Sequence, residues 1–273
     1  MFGSRHNISE LSSAFSTGNG GATFEHNIQA VFLLTLLVDG FSPILEAPID
    51  RIELQAKHLG YAIDDFVVVA ANGAKLLCQV KHTLAISYGD KQFEKVMNAA
   101  WHDFNSESYR PSFDKIALIT GPIAKNSSHD LHCIYEQAWA TETAEAFRER
   151  IDREQFVSRS TQNMLETLRK CLRRANADQE IQDDQLWEIC KCFVLVAFDV
   201  DYVHGINRVL VQSLIHCKSD KDAKLVWGAI SRVLRKPEFQ SFYSRFSETL
   251  RGVAEEYRAE AKEHAKQHDS FEE

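Results

Sequence analysis

Residues 61–82 read YAIDDFVVVAANGAKLLCQVKH, and this stretch decides the predicted fold. Two apolar runs flank Asn72-Gly73, a dipeptide that strongly favours a β-hairpin turn. Asp64-Asp65 opens the first predicted strand, and Gln79-Val80-Lys81 closes the second. The hairpin therefore brings acid, amide and ammonium groups together at one end of two strands.

The position of Lys81 indicates an anionic neighbour, because burying an unpaired ammonium group at the end of an apolar strand is costly. Which aspartate is that neighbour depends on the length of the turn. A two-residue turn places Asp64 on the face of Gln79 and Lys81. A three-residue turn over residues 71–73 places Asp65 there instead. The residue pattern is compatible with both registers.

The groups at this corner suit the hydrolysis of a phosphodiester. Such a reaction needs a nucleophilic water, a Lewis acid on the phosphoryl oxygens and a cation near the developing negative charge. The carboxylate of Asp65, the amide oxygen of Gln79 and the backbone carbonyl of Val80 are oxygen ligands of the kind that Mg²⁺ prefers. Lys81 could stabilise the phosphorus centre or help to orient and deprotonate the water. The alternative is a surface ion pair between strand-end acids and Lys81, which would contribute little to stability.

The hairpin lies within a predicted order of helix, strand, strand, strand, helix, strand. Residues 23–37 have candidate caps and apolar residues around most of the helix circumference, which is typical of a core helix. Residues 50–58 alternate apolar and polar residues, as in a half-buried strand. After the hairpin, residues 90–105 have helical spacing and residues 115–120 form a short apolar strand. Glu25 lies near the start of the first helix, where it could bring a third carboxylate to the hairpin corner.

Beyond residue 125 the pattern is mainly helical. We predict a flexible lead-in over 1–20, a first unit over 21–125, a mainly helical extension over 126–250 packed on that unit, and a terminal helix or linker over 251–273. The extension contains one strand candidate at 193–200. The predicted helices from here to the terminus cover residues 128–139, 141–152, 161–175, 183–190, 206–217, 222–234 and 238–268.

Composition limits the class of protein. With 273 residues, of which 44% are hydrophobic, the chain can bury a full core. No apolar run approaches the roughly 20 residues that a membrane-spanning helix needs, and the lead-in lacks the apolar centre of a signal peptide. The 6 cysteines are scattered without a CxxC pair, which favours reduced thiols. We therefore expect a soluble, cytoplasmic protein without membrane contact.

The charge of the chain is unusual for a protein that binds nucleic acid by itself. It has 31 basic and 39 acidic residues, a net charge of -8, whereas DNA-binding surfaces are normally basic. Contact with DNA would have to come from local patches or from the assembly of several copies. Two basic helical stripes are the candidates, unless they are simply solvated faces: Arg169-Lys170 with Arg173-Arg174, and Arg232 with Arg235-Lys236.

The predicted order of elements resembles the αβββαβ core of the PD-(D/E)xK, or restriction endonuclease-like, superfamily. Gln79-Val80-Lys81 resembles the QxK variant of its motif. An ordered set of segments is also similar to the N-terminal double-stranded DNA endonuclease domain of bacterial anti-phage effectors. In that family the domain occurs with SAVED domains in CBASS systems and with STAND NTPase sensors in AVAST systems. The segments are 20–26, 54–65, 79–82, 99–104 and 116–122, and more faintly 186–187 and 198–201.

The resemblance implies an α/β fold in which residues 21–125 form a restriction endonuclease-like nuclease core with a largely helical C-terminal extension. It implies hydrolysis of double-stranded DNA with Mg²⁺, or Mn²⁺ as a substitute. By position, Glu25 is the helix carboxylate, Asp65 the main metal ligand and Lys81 the catalytic lysine. Gln79 stands where the family usually has Glu, so the site has one negative charge fewer, which Glu25 could replace. The assignment of Asp65 favours the three-residue turn.

Cutting both DNA strands needs two active sites, so we expect at least a homodimer. A SAVED or STAND NTPase sensor domain is the expected partner in a longer protein. Two alternatives are a non-catalytic scaffold or oligomerisation module on the same fold and a nuclease that acts on RNA.

Two further groups have metal-like spacing. Asp199-Val200-Asp201 precedes His204, and His129 precedes His132-Cys133 by one helical turn. The alternatives are strand-end acids beside a turn at Gly205 and ordinary helix-start residues.

Overall fold

The computed structural model describes residues 20–38, 40–42, 44–202 and 204–218, together with Trp227, Ile230 and Leu234. Within these residues the chain forms seven α-helices and five β-strands. In chain order the elements are α1 (Gly20–Leu37), β1 (Ile49–Leu54), a short 3-10 helix (Ala56–Leu59), β2 (Phe66–Ala70), β3 (Lys75–Lys81), α2 (Lys91–Phe104), β4 (Lys115–Thr120), α3 (Lys125–Trp139), α4 (Ala144–Asp152), α5 (Arg159–Ala175), α6 (Asp183–Cys192), β5 (Phe193–Ala197) and α7 (Ile206–Lys218).

The five strands form one mixed sheet in the order β1-β2-β3-β4-β5. β1, β2 and β3 are successively antiparallel, whereas β3, β4 and β5 run parallel. The parallel pairs need crossover connections, which α2 and the helices α3 to α6 provide. The predicted α/β class and the predicted order of the first six main elements, α1 to β4, are thereby confirmed.

Both faces of the sheet are covered by helices. On one face, α2, α3, α5 and α6 pack against Val67, Leu77 and their neighbours. On the other face, α1 packs against Phe66 and Cys78, and Trp227 belongs to the same cluster. Double coverage explains why β2 and β3 read as continuous apolar runs instead of alternating with polar residues.

The predicted strand over residues 50–58 is too long at its C-terminal end. β1 ends at Leu54 because Gln55 adopts a left-handed conformation with φ of 48°, and a 3-10 helix follows. Ala56 continues the alternating apolar pattern of the strand in the sequence. It is indeed buried, but as the first residue of the 3-10 helix and not as part of β1. A hydrophobic pattern alone does not reveal such a break.

Two helices of the extension, α4 and α5, begin at residues other than those predicted, because capping residues determine where they start. Thr143 accepts a hydrogen bond from the backbone of Ala146, so α4 begins at residue 144 and not at 141. Ser158 caps α5 in the same way through the backbone of Thr161. The strand candidate at 193–200 is shorter than predicted, and it joins the main sheet beside β4.

Several predicted segments lie outside the described residues. These are the lead-in over 1–19, most of the helix over 222–234, the helix over 238–268 and the terminal segment over 251–273. Among the helices that are described, none is long and apolar enough to cross a membrane. The cysteines whose side chains are described all carry free thiols.

Candidate functional site

The turn between β2 and β3 decides which aspartate faces Lys81. The backbone amide of Ala70 donates to the carbonyl of Ala74 at 2.9 Å, so the loop between them has three residues. Gly73 takes a φ of 80°, a left-handed conformation that glycine adopts readily. The register pairs Phe66 with Cys78, and one step further Asp65 lies opposite Gln79. The three-residue alternative is confirmed.

Asp65 is the centre of the polar contacts at this corner. Its Oδ2 accepts hydrogen bonds from Nε2 of Gln79 and from the backbone amide of Val80, the latter at 2.5 Å. Nζ of Lys81 lies 3.5 Å from the same oxygen. One carboxylate oxygen of Asp65 is therefore held by three residues at the end of β3.

Lys81 is held by its own strand as well as by the aspartate. Its Nζ donates a hydrogen bond to the backbone carbonyl of Val80 at 2.9 Å. About a third of the side chain, 32%, is exposed. The predicted lysine and the predicted carbonyl ligand are thus in direct contact.

Glu25 adds a carboxylate from α1. Burial, and secondarily the negative charge of Asp65, raises the pKa of Glu25 to about 7, although the positive charge of Lys81 opposes the shift. Nε2 of Gln29 donates to Oε1 of Glu25 at 3.0 Å. Burial also raises the pKa of Asp65, against the effects of Lys81 and of the hydrogen bond from Val80. Two carboxylates and one ammonium group therefore influence each other in partly desolvated surroundings.

The segment before Asp65 is fixed by a buried acid on α2. The two carboxylate oxygens of Asp103 accept hydrogen bonds from the backbone amides of Ala62 and Ile63, each at 2.7 Å. Only 1% of Asp103 is exposed. Asp103 is not among the site residues predicted from the sequence, although an acid on the buried face of α2 beside Phe104 was a signal.

The two metal-like groups noted from the sequence do not assemble as metal sites. Asp199 instead caps α7, since its carboxylate accepts from the backbone amides of Ile206 at 2.7 Å and Asn207 at 2.8 Å. Nε2 of His129 lies 3.5 Å from Sγ of Cys133. Within the described ranges, no group of three or more His, Cys, Asp or Glu side chains is arranged to hold a metal ion.

The oxygen-rich set at the hairpin corner fits a hard divalent ion better than a soft one. Asp65 and Glu25 would supply carboxylates and Val80 a carbonyl, and Mg²⁺ completes its coordination with water. Burial, which raises the pKa of both acids, disfavours their ionised forms, and a bound cation would stabilise those forms. Gln79 directs its amide nitrogen at Asp65, so its oxygen becomes a ligand only if the amide turns over. The residues present fit such an ion on these terms.

The described basic stripe on α5 is largely neutralised within the chain. Arg169 pairs with Asp183 at 2.6 Å, Arg173 with Glu180 at 3.2 Å and Arg174 with Glu94 at 2.7 Å. These arginines are therefore less available to DNA phosphates than the sequence pattern suggested. The other stripe, Arg232 with Arg235-Lys236, lies outside the described residues.

A cleft of about 490 Å³ lies between α4, α5 and α6. Phe147 and Leu165 are among its apolar lining residues, and Arg148 with Asp183 contributes to its polar lining. None of its lining residues belongs to the hairpin corner.

Comparison of the chain with protein-family models, with curated proteins and with solved structures gave no match. The functional interpretation therefore depends on the geometry of the hairpin corner and on the chemistry of its residues.

Proposed function

We propose that this chain is a metal-dependent endonuclease that hydrolyses phosphodiester bonds of double-stranded DNA and acts as the effector part of an anti-phage defence protein. In this proposal α1 to β4 form a restriction endonuclease-like core. The observation that carries the proposal is the approach of Lys81 Nζ to Asp65 Oδ2, at 3.5 Å, in a corner shared with Glu25.

Each polar group at the corner has a role in this reaction. Asp65, Glu25 and the carbonyl of Val80 would hold Mg²⁺, with Gln79 as a further ligand after rotation of its amide. Mg²⁺, or Mn²⁺ in its place, would polarise the phosphoryl group and lower the pKa of a bound water.

The contacts of Lys81 with Asp65 and Val80 keep its ammonium group beside the proposed Mg²⁺ position. There it stabilises negative charge that develops on the phosphate and orients the attacking water.

Assembly is part of the proposal, because an acidic chain is poorly suited to hold a DNA duplex as a single copy. The net charge is -8, and Arg169, Arg173 and Arg174 of α5 are paired with carboxylates. At least two copies would be needed to cut both strands, and together they would span more of the DNA backbone. A SAVED or STAND NTPase sensor domain is the partner that would control such assembly.

The test is plasmid cleavage by a lysine variant with a matched control. Lys81→Ala should lower Mg²⁺-dependent cleavage on the order of 10²-fold or more, the effect typical of losing a group that stabilises transition-state charge. Lys75→Ala removes a lysine from the other end of β3, where it lies 5.5 Å from the ring centre of Tyr61, and should leave cleavage unchanged. Circular dichroism should be native for both proteins. Undiminished cutting by Lys81→Ala would exclude this site.

The alternatives predict different outcomes in the same assay. A non-catalytic scaffold would cut neither DNA nor RNA at any protein concentration. An RNA-directed nuclease would cleave labelled RNA duplexes in preference to DNA duplexes of the same sequence when both are incubated with Mg²⁺. The paired arginines on α5 are the observation that favours the scaffold, whereas the Lys81–Asp65 contact favours catalysis.

A further inference from the structure

The loop after β5 meets both α1 and the end of β3 at a single carboxylate, that of Asp201. Its Oδ1 accepts a hydrogen bond from Nδ2 of Asn27 at 2.8 Å. Its Oδ2 lies 3.3 Å from Nε2 of His82. Three segments that are distant in the sequence are therefore joined by one side chain.

These contacts are partly buried, unlike those of a fully exposed surface ion pair. The side chain of Asp201 is only 8% exposed, and Asn27 is buried to the same extent. In the described part of the chain, Oδ2 of Asp201 accepts no hydrogen bond, so the imidazole of His82 is the polar group that faces it. Burying a carboxylate without polar partners would lower the stability of the fold. The contacts with Asn27 and His82 therefore favour this one position of Asp201.

His82 is itself held in place from two further sides. The ring of Phe24, on α1, packs edge-on against its imidazole with ring centres 5.0 Å apart. The backbone amide of Gly121 donates to the carbonyl of His82 at 3.2 Å, and a Cβ atom at position 121 would lie 2.6 Å from that carbonyl oxygen. Only glycine permits this approach, so the residue that follows β3 has a defined position.

The partners of Asp201 are close neighbours of the proposed catalytic residues. Asn27 follows Glu25 by two residues on α1, and His82 directly follows Lys81 at the end of β3. Glu25 and Lys81 belong to different elements, so their relative position depends on how α1 is held against β3. We propose that Asp201 is a positioning residue that fixes α1 against the end of β3 and thereby sets Glu25 relative to Asp65 and Lys81.

This inference rests on the proposed nuclease function for its catalytic consequence, but its structural part is independent. It also means that a site predicted within residues 21–125 is incomplete without a residue from the extension. The matched control lies in the same loop. Asp199 is an acid two residues earlier whose carboxylate accepts hydrogen bonds from the backbone amides of Ile206 and Asn207 at the start of α7.

Two measurements on the full chain test the inference. Hydrogen exchange should be about tenfold faster in the amides around residues 24–31 of α1 in Asp201→Ala than in the wild type. The kcat for cleavage of a DNA duplex should fall on the order of 10²-fold, with KM changed by less than about threefold. Asp199→Ala should accelerate exchange in α7 only and keep kcat within about threefold.

Three more variants separate positioning from general stability. Asp201→Asn keeps the acceptor for Asn27 and an amide beside His82, so it should restore α1 protection and most of kcat. Asn27→Ala should accelerate exchange in α1 and lower kcat in the same direction as Asp201→Ala, which also removes the contact with His82. The double variant should be no worse than Asp201→Ala, because that variant already lacks the contact with Asn27.

The positioning role of Asp201 and the nuclease function fail on different results. Wild-type exchange in α1 of folded Asp201→Ala, or an equal loss of kcat in Asp199→Ala, would overturn the positioning role. If Asp201→Ala does not fold, Asn27→Ala decides by the same readouts. If the wild type cuts no DNA, the nuclease proposal fails, whereas α1 exchange still decides whether Asp201 holds the helix.

Discussion

Nζ of Lys81 and Oδ2 of Asp65 lie 3.5 Å apart, although the two residues are at the ends of different strands. The contact depends on the three-residue turn, because strand residues alternate between the two faces of a sheet. A turn shorter by one residue would place Asp64 on the face of Lys81. The geometry of the turn therefore decides the charge arrangement at the opposite end of the hairpin.

Replacement of Gly73 by alanine should destabilise the protein by about 1 kcal/mol. The cause is the φ of 80°, since no atom lies within 4 Å of the added Cβ position. The free energy of unfolding in urea measures the effect. Gly21→Ala, in α1, is the control and should be neutral or stabilising because it raises helix propensity. Equal stability of the two variants would argue against strain at the turn.

Replacement of Gln79 by glutamate should tighten Mg²⁺ binding by about tenfold, because a second charged oxygen ligand joins Asp65. Without metal the same change should lower stability, since it replaces the amide donor to Asp65 by a like charge. Calorimetric titration with Mg²⁺ and thermal unfolding with EDTA measure the two effects. Gln92→Glu, an exposed change on α2, should alter neither. Unchanged Mg²⁺ affinity in Gln79→Glu would remove Gln79 from the ligand set.

The raised pKa of Glu25 makes stability depend on pH in a defined direction. Because burial raises its pKa from the usual 4.5 to about 7, the folded state binds the proton more tightly than the unfolded state. The contribution of Glu25 to stability should therefore fall as pH rises between these values, by up to roughly 3 kcal/mol. In metal-free buffer, Glu25→Gln should remove this part of the pH dependence.

Metal affinity should change with pH in the opposite sense. Only ionised Glu25 can coordinate Mg²⁺, so affinity should rise as pH increases through about 7 in the wild type and rise less in Glu25→Gln. Identical pH profiles of stability and of Mg²⁺ affinity in the two proteins would contradict the burial of a titrating Glu25.

Replacement of Asp103 by alanine should destabilise the protein by about 1–3 kcal/mol, because the backbone amides of Ala62 and Ile63 lose their buried acceptor. Cleavage should also decrease, since the segment that positions Asp65 is no longer held. Denaturant unfolding and plasmid cleavage measure these effects. His102→Ala is the control, because it removes a largely exposed side chain 3.6 Å from the same carboxylate. A loss of equal size in His102→Ala would exclude a specific role for Asp103.

The hairpin and the order of the core elements could be predicted from sequence because their signals are local. Asn72-Gly73 and the flanking apolar runs define the hairpin, and the register remained open only because turn length depends on the backbone of Gly73. The end of β1 was missed since nothing in the sequence required Gln55 to be left-handed.

The supporting residues of the site could not be predicted in the same way. Asp103 and Asp201 act on backbone or side chains that are far away in sequence, and neither lies in a local motif that indicates its partner. The sequence also predicted a strand near residue 193 without indicating its neighbour in the sheet, because strand pairing is a tertiary property.

The hydrogen bond between Asn27 and Asp201 spans 174 positions of the chain. During synthesis, α1 and the hairpin leave the ribosome long before the loop after β5, and a chain grows by roughly 5–20 residues per second. The hairpin corner would therefore lack its contact with Asp201 for about ten seconds or longer. A nascent chain that carries the hairpin alone would not yet hold Glu25 in place, so hydrolytic competence would be delayed until most of the protein has been translated.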